Sequence, residues 1–302
     1  MKVLISGSSG LIGKALSASL KADGHQVVRL VRKTTTPGTD EILWDPAAGR
    51  IDAASLEGFD GVVHLAGENI AAGRWTEERK QRIRESRLTG TRLLASTLAG
   101  MSRRPEVMIS ASAIGYYGNR GSEALKEDSG PGTGFLASIC QEWEAAAGPV
   151  SAAGIRLVAL RIGIVLSPAG GALARMLLPF KLGLGGTVGN GGQYMSWITL
   201  EDLVGVMSFA LQNKTLRGAV NAVAPNPETN ADFTKALSRT LVRPTVFPLP
   251  AFAARFLLGE MADELLLASA RVLPDRLRSA GYKFRNPRLE EALFQILKGP
   301  QK

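Results

Sequence analysis

The sequence predicts an α/β protein, a doubly wound parallel sheet with a smaller, mostly helical C-terminal lobe. Three observations predict it. Short β-branched runs alternate with helical patterns through the first half. A glycine turn closes the first strand and opens the first helix. From about residue 167 glycines crowd together, and farther on prolines interrupt helical stretches.

Lys2 to Ser6 is apolar and runs straight into Gly7, so it reads as the first strand. Gly13 to Asp23 has helical spacing and stops at Gly24, a residue that ends helices readily. Gln26 to Val31 reads as the second strand, Gly61 to Ala66 as a buried strand and Glu77 to Ala99 as a long helix. Val107 to Ser112 follows as a strand, Leu136 to Ala147 as a helix and Ile155 to Leu166 as a further strand. Gly218 to Ala224 has the look of a returning strand. Residues 1–166, completed near 218–224, therefore form the sheet domain, and 167–302 the smaller lobe. Gly170, Gly171, Gly183, Gly185, Gly186, Gly189, Gly191 and Gly192 read as a turn-rich, flexible stretch. Ligands of open α/β sheets sit at the C-terminal edge of the strands, so a small-molecule substrate is expected in the cleft between the lobes.

With 45% hydrophobic and 21% charged residues, the 302-residue chain has the composition of a globular protein with a real core. Arg156 and Arg161 break its apolar stretch Ile155–Leu166, which falls short of the roughly 20 residues a spanning helix needs. No membrane partner is expected. The N-terminus lacks the pattern of a secretory signal, and Cys140 is the only cysteine, so a reducing, cytoplasmic setting is expected. With only two histidines besides, no metal site is expected. The net charge of +9 thickens between Arg74 and Arg92. A solvated helix face accounts for most of it, and no nucleic-acid motif or aromatic interleaving accompanies it.

The turn itself reads Gly7-Ser8-Ser9-Gly10-Leu11-Ile12-Gly13. Gly7 allows the tight turn, Gly10 lets backbone approach a pyrophosphate, and Gly13 permits close helix–strand packing. The N–H groups of Ser9, Leu11 and Ile12 at the helix start would hold the phosphates. This is the Rossmann-type arrangement for a dinucleotide. The second strand then selects the nicotinamide: an NAD site places a carboxylate there for the ribose 2′-OH, an NADP site a cation for the 2′-phosphate. No acidic residue lies between Asp23 and Asp40, whereas Arg29, Arg32 and Lys33 do. Arg32 and Lys33 fall at the strand end and are the expected ligands of NADP.

Several segments resemble the extended short-chain dehydrogenase/reductase superfamily: the GxxGxxG turn, Val62-Val63-His64-Leu65-Ala66-Gly67, Ser110-Ala111-Ser112, Gly90-Thr91, and Trp197 to Leu203. Ala66 to Ile70, Arg74-Trp75, Pro179 to Gly186 and Ala224 to Asn230 are similar, more narrowly, to atypical NAD(P)-dependent epimerase-family proteins of the 39U type. Those proteins carry a C-terminal domain of unknown function, which would span 245–302 here. The resemblance covers essentially the whole chain. It implies that Leu65, Ala66 and Gly67 line the nicotinamide-side ribose, with Glu68 beside them. Arg87, from the basic run of the long helix, is counted with them as cofactor-binding.

The family's usual proton machinery is where this chain departs. Typical members have a Ser or Thr at the end of the fifth strand, then a Tyr and, four residues on, a Lys. Ser112 matches the first position. Phe135 stands for the Tyr and Ile139 for the Lys, and neither moves a proton. Tyr116 and Tyr117 follow Ser112 closely enough to replace the missing phenol, or one of them packs under the nicotinamide instead. Cys140 and His64 read as buried, unreactive groups, and Arg161 as a partner of a pyrophosphate or substrate anion. Trp197 and Asp202 read as a structural lock between lobes, and Arg74-Trp75 as a substrate lid or as packing. Two functions follow: an NADP(H)-dependent oxidoreductase or epimerase-like enzyme, or an NADP(H)-binding sensor that has lost turnover.

Overall fold

The computed structural model describes residues 1–33 and 40–299. Its first half alternates β1 (Lys2–Ser6), α1 (Leu11–Ala22), β2 (Gln26–Val31), β3 (Glu41–Asp45), β4 (Arg50–Ile51), β5 (Gly61–His64), α2 (Glu77–Ala99) and β6 (Val107–Ala113). There follow β7 (Ala124–Leu125), α3 (Phe135–Ala146), α4 (Gly148–Ala152), β8 (Arg156–Ile162), β9 (Ile164–Leu166) and α5 (Gly171–Lys181). Next come β10 (Tyr194–Met195), β11 (Trp197–Thr199), α6 (Leu200–Gln212), β12 (Gly218–Ala222), β13 (Glu228–Thr229) and α7 (Asn230–Leu241). The chain ends with α8 (Ala251–Leu258), α9 (Glu260–Ala262), β14 (Arg271–Val272), α10 (Asp275–Ser279) and α11 (Leu289–Lys298).

Eight strands form the central sheet in the order β12-β8-β6-β5-β1-β2-β3-β4. All neighbours are parallel except β3 and β4, which pair antiparallel at one edge. Helices cover both faces, so Val3, Leu4 and Ile5 are all fully buried, and the strands read as continuous apolar runs. From β1 the chain builds outward through β2 and β3, then returns to β5 on the other side of β1. The switch point, where open α/β sheets bind ligands, therefore lies beyond Ser6 and His64.

Three elements differ from expectation. Ile155–Leu166 is two strands, because at Gly163 the chain leaves the sheet so that β9 pairs with β11. A Cβ at Gly163 would lie 2.6 Å from the Ser196 carbonyl oxygen, so the crossing requires glycine. The glycine-rich stretch contains α5, with Gly170 and Gly171 opening the helix and not dissolving it. Strand β3 carries charged ends that hide its period; it is held by β2, across which Arg29 meets Glu41 at 2.6 Å.

Leu173, Leu177, Phe233, Leu237 and Leu293 from α5, α7 and α11 form a separate apolar core. Asp202 ties the sheet to the C-terminal segment, its carboxylate accepting from Arg285 N at 2.8 Å and Asn286 N at 2.9 Å. The Trp197 indole donates to the Asn226 carbonyl at 3.0 Å. No helix among the described residues is long and apolar enough to cross a membrane.

Candidate cofactor and active site

Gly7 ends β1 with φ +69°, and a Cβ there would lie 2.7 Å from the carbonyl carbon of Leu65 and 2.8 Å from the Ala66 nitrogen. The two strand ends at the switch point thus touch through backbone alone. At Gly13 a Cβ would fall on the Gly7 carbonyl oxygen and within 2.7 Å of Ser8 Cα, so α1 packs on the turn only as glycine. Gly10 is different: a Cβ there would come no closer than 3.3 Å to the protein, and the residue is exposed.

Helices α2, α6 and α7 each begin with a threonine, Thr76, Thr199 and Thr229, whose side chain caps the first turn. Helix α1 has neither a side-chain cap nor an acidic residue in its first turn. The N–H groups of Leu11, Ile12 and Gly13, which helix geometry leaves without intrahelical acceptors, are therefore free to meet an anion. Helix α5 also opens uncapped, and a Cβ on its N-cap Gly170 would lie 3.6 Å from the Leu11 side chain. Two uncapped positive helix ends adjoin the same turn.

At the end of β2, Arg32 and Lys33 are exposed, whereas Arg29 is occupied by Glu41. Beyond β5, Leu65 and Ala66 are half-buried and Gly67 is exposed. Arg87 reaches under this segment from α2, donating from Nη2 to the Glu68 carbonyl and from Nη1 to the Ile83 carbonyl, each at 3.1 Å. Its guanidinium lies over the Trp143 ring at 5.0 Å, and burial lowers its pKa. The Glu68 carboxylate faces Arg79 and Arg82, each at 3.7 Å.

Ser112, Tyr117 and Arg161 turn toward one another instead of toward an open channel. Ser112 Oγ donates to Glu144 Oε1 at 2.7 Å. Arg161 grips the same carboxylate with two bonds, Nε to Oε1 at 2.8 Å and Nη2 to Oε2 at 2.9 Å. Its Nη1 donates to the Tyr117 hydroxyl at 2.9 Å, and that hydroxyl lies 2.7 Å from Asn221 Oδ1. Ser112 is 2% exposed, Tyr117 fully buried and Arg161 4% exposed. Burial disfavours charge on Arg161, but the bonds from Glu144 outweigh it and its pKa stands above the ordinary guanidinium value. Burial pushes the Tyr117 phenol up as well. Arg161, expected to meet an anionic ligand, is paired here with Glu144. Tyr116 remains half-buried, its ring centroid 3.4 Å from the Arg161 guanidinium carbon.

Phe135, at the position where the resemblance expects a tyrosine, packs edge-on against Trp75 at 5.0 Å, with Lys80 Nζ 5.2 Å from its ring. Trp75 also donates to the Ile70 carbonyl at 2.8 Å, so this part of the Arg74-Trp75 loop is packed. Ile139 is buried, and burial raises the Cys140 thiol to about 11, an unreactive value. His64 is fully buried between the Ser6 hydroxyl at 2.6 Å and Thr91 Oγ1 at 2.9 Å. Sequence reasoning overlooked Glu144, one helical turn beyond Cys140 on α3. It also overlooked Glu264, which accepts from the Phe135 and Leu136 N–H groups at 3.1 and 3.2 Å. The buried cation in β8 was the available signal for Glu144, since such a charge requires a partner. Glu264 lies 128 residues from Leu136 and left no such signal.

Sheet order, switch point and glycine turn together define a Rossmann-type protein of the short-chain dehydrogenase/reductase kind. The comparisons place it within that class. The model of the NAD dependent epimerase/dehydratase family matches residues 3–222, and a domain of unknown function (DUF1731) matches 249–296. The chain belongs to the NAD dependent epimerase/dehydratase family. It is 46% identical over 291 residues to epimerase family protein MT2273 of Mycobacterium tuberculosis, covering 96% of each. The crystal structure of human epimerase family protein SDR39U1 (isoform 2) with NADPH is similar with a TM-score of 0.91 at 37% identity, covering 99% of both chains. A nucleoside-diphosphate sugar epimerase from Corynebacterium glutamicum gives a TM-score of 0.82 at 38% identity, covering 98% of this chain and 58% of that one.

Proposed function

We propose that this chain is an NADP(H)-binding oxidoreductase or epimerase-like protein that works without the usual Tyr-x-x-x-Lys pair. The observation that carries the cofactor choice is the end of β2, where Arg32 and Lys33 are exposed and no carboxylate lies between Asp23 and Asp40. A 2′-phosphate gains charge-assisted bonds there, whereas a 2′-OH finds no acceptor carboxylate. The similarity to the human relative with NADPH supports the same choice.

In this reading Gly7, Ser9, Gly10, Leu11, Ile12 and Gly13 hold the pyrophosphate through backbone, helped by the uncapped α1 terminus. Leu65, Ala66 and Gly67 border the nicotinamide-side ribose, with Arg87 and Glu68 as its polar neighbours. NADPH, when bound, supplies a hydride to a carbonyl carbon. The chain must then supply the proton. Ser112 and Tyr117 are committed to the buried network, which leaves the half-buried Tyr116 as the candidate phenol.

That same commitment of Ser112 and Tyr117 favours a second reading, an NADP(H) sensor without turnover. Titration with NADPH and NADH, followed by a carbonyl panel on wild type and Tyr116→Phe, separates the two. An enzyme should lose roughly 10² to 10⁴ in rate in the variant while still binding NADPH. Tight NADPH binding without hydride transfer to any carbonyl would establish the sensor, and equal affinity for NADH would overturn the cofactor assignment.

A further inference from the structure

Helix α8 and its surroundings present an apolar surface that no described element covers. Phe252 and Phe256, one turn apart on α8, are 75% and 81% exposed, and Leu257 is 58% exposed. Only Ala254 of this helix is buried. Val246 and Phe247, just before it, are exposed too. The segment they belong to runs beside residues 187–189: Leu249 N donates to the Thr187 carbonyl at 2.8 Å and Gly189 N to the Leu249 carbonyl at 2.9 Å. This pairing brings the exposed Leu182 and Leu184, at the end of α5, to the neighbouring surface. Single exposed apolar residues are ordinary, but a cluster of this kind is surface that another body covers.

The rim of the patch is cationic. Arg243 donates to the Lys181 carbonyl at 3.0 Å and Arg175 to the Ala71 carbonyl at 2.6 Å, so both guanidiniums are held by neutral acceptors. Arg175, Lys181 and Arg243 form no ion pair with a carboxylate among the described residues. Of the acids that follow α8, Asp263 pairs with Arg255 at 2.9 Å and Glu260 with Lys80 at 2.7 Å, while Glu264 turns away to the Phe135 and Leu136 N–H groups.

We infer that this face docks peripherally on an anionic lipid bilayer, with Phe252 and Phe256 entering the interface while Arg175, Lys181 and Arg243 meet headgroup phosphates. Aromatic side chains on a short helix flanked by unpaired cations suit that surface, and the overall charge of +9 adds long-range attraction. A second copy suits it poorly. An isologous contact repeats the same patch on both sides, so a second copy would add three more such cations to the interface, whereas a headgroup supplies the phosphate they lack. The docking departs from the expectation of no membrane partner, which rested on the absence of a spanning stretch and does not bear on surface attachment.

Flotation of the full chain with vesicles tests this independently of any turnover. Vesicles of phosphatidylcholine with phosphatidylglycerol should capture the wild type at low salt, and pure phosphatidylcholine should capture much less. Phe252→Ser with Phe256→Ser should reduce capture about tenfold or more, as should Lys181→Gln with Arg243→Gln. All four side chains are exposed, so the variants should keep the wild-type melting temperature. Absence of wild-type capture, or capture unchanged by the phenylalanine variant, overturns the inference. So does a wild-type dimer in solution that the same variant dissociates, which would assign the face to a second copy.

Discussion

Glu144 Oε1 accepts at once from Ser112 Oγ at 2.7 Å and from Arg161 Nε at 2.8 Å, so one carboxylate oxygen joins the end of β6 to the end of β8. Removing one partner of a buried pair leaves the other charge uncompensated, at a cost of about 3–5 kcal/mol. Glu144→Ala should lose stability on that scale in chemical denaturation. Ser112→Ala, which removes one hydrogen bond and leaves the ion pair, should lose about 1 kcal/mol. Equal small losses in both variants would mean that Arg161 is neutralised elsewhere.

The glycines of the turn should separate folding from binding. Gly13→Ala places a Cβ on the Gly7 carbonyl, so the melting temperature should fall whether or not a nucleotide is added. Gly10→Val puts its Cβ 3.3 Å from the Gly7 carbonyl oxygen, a far milder contact than at Gly13, and should melt nearer wild type than Gly13→Ala while losing NADPH in a fluorescence titration. Unchanged NADPH affinity in Gly10→Val would place the dinucleotide elsewhere.

Charge reversal at the end of β2 tests the nucleotide preference. Arg32→Glu removes a charge-assisted contact and adds repulsion, so NADPH affinity should fall by on the order of 2 kcal/mol, about thirtyfold. NADH affinity should change little, because no 2′-phosphate is present to be repelled. Parallel titrations of both nucleotides against the variant give the answer.

His64 should make stability depend on acid. Burial lowers its pKa from 6.5 to about 4, so the folded protein keeps it neutral where the unfolded chain takes a proton. The contribution is fully present above pH 6.5 and is lost as pH falls to about 4, by at most about 3 kcal/mol. Denaturation across this range should show the loss in wild type and not in His64→Gln. Identical pH profiles would show that His64 does not titrate differently in the two states.

Much of the sheet domain was legible because its signals are local. Strand β2 and helix α2 have the bounds expected from apolar runs and helical spacing. The glycine turn was legible from its spacing alone, although Gly13 answers its own turn while Gly7 answers the Leu65 and Ala66 backbone across the switch point. Strand β3 and helix α5 were not. Charged ends and flanking glycines mask their periods, and it is pairing with β2 and the apolar core around Leu173 and Leu177 that fix them.

By itself the sequence determined the order of βα units, the turn that opens α1, the cationic end of β2 and the absence of tyrosine and lysine at Phe135 and Ile139. These depend on residue type and short spacing, which a chain carries before it folds. Only the tertiary structure decided where the charged groups at the centre point. Arg161 lies 17 residues from Glu144, Tyr117 104 from Asn221, and Phe135 129 from Glu264. A buried charge takes whichever partner packing brings within reach, and no local pattern records that choice. The fold thus turned Ser112 and Tyr117 inward and left Tyr116 half-buried over the Arg161 guanidinium.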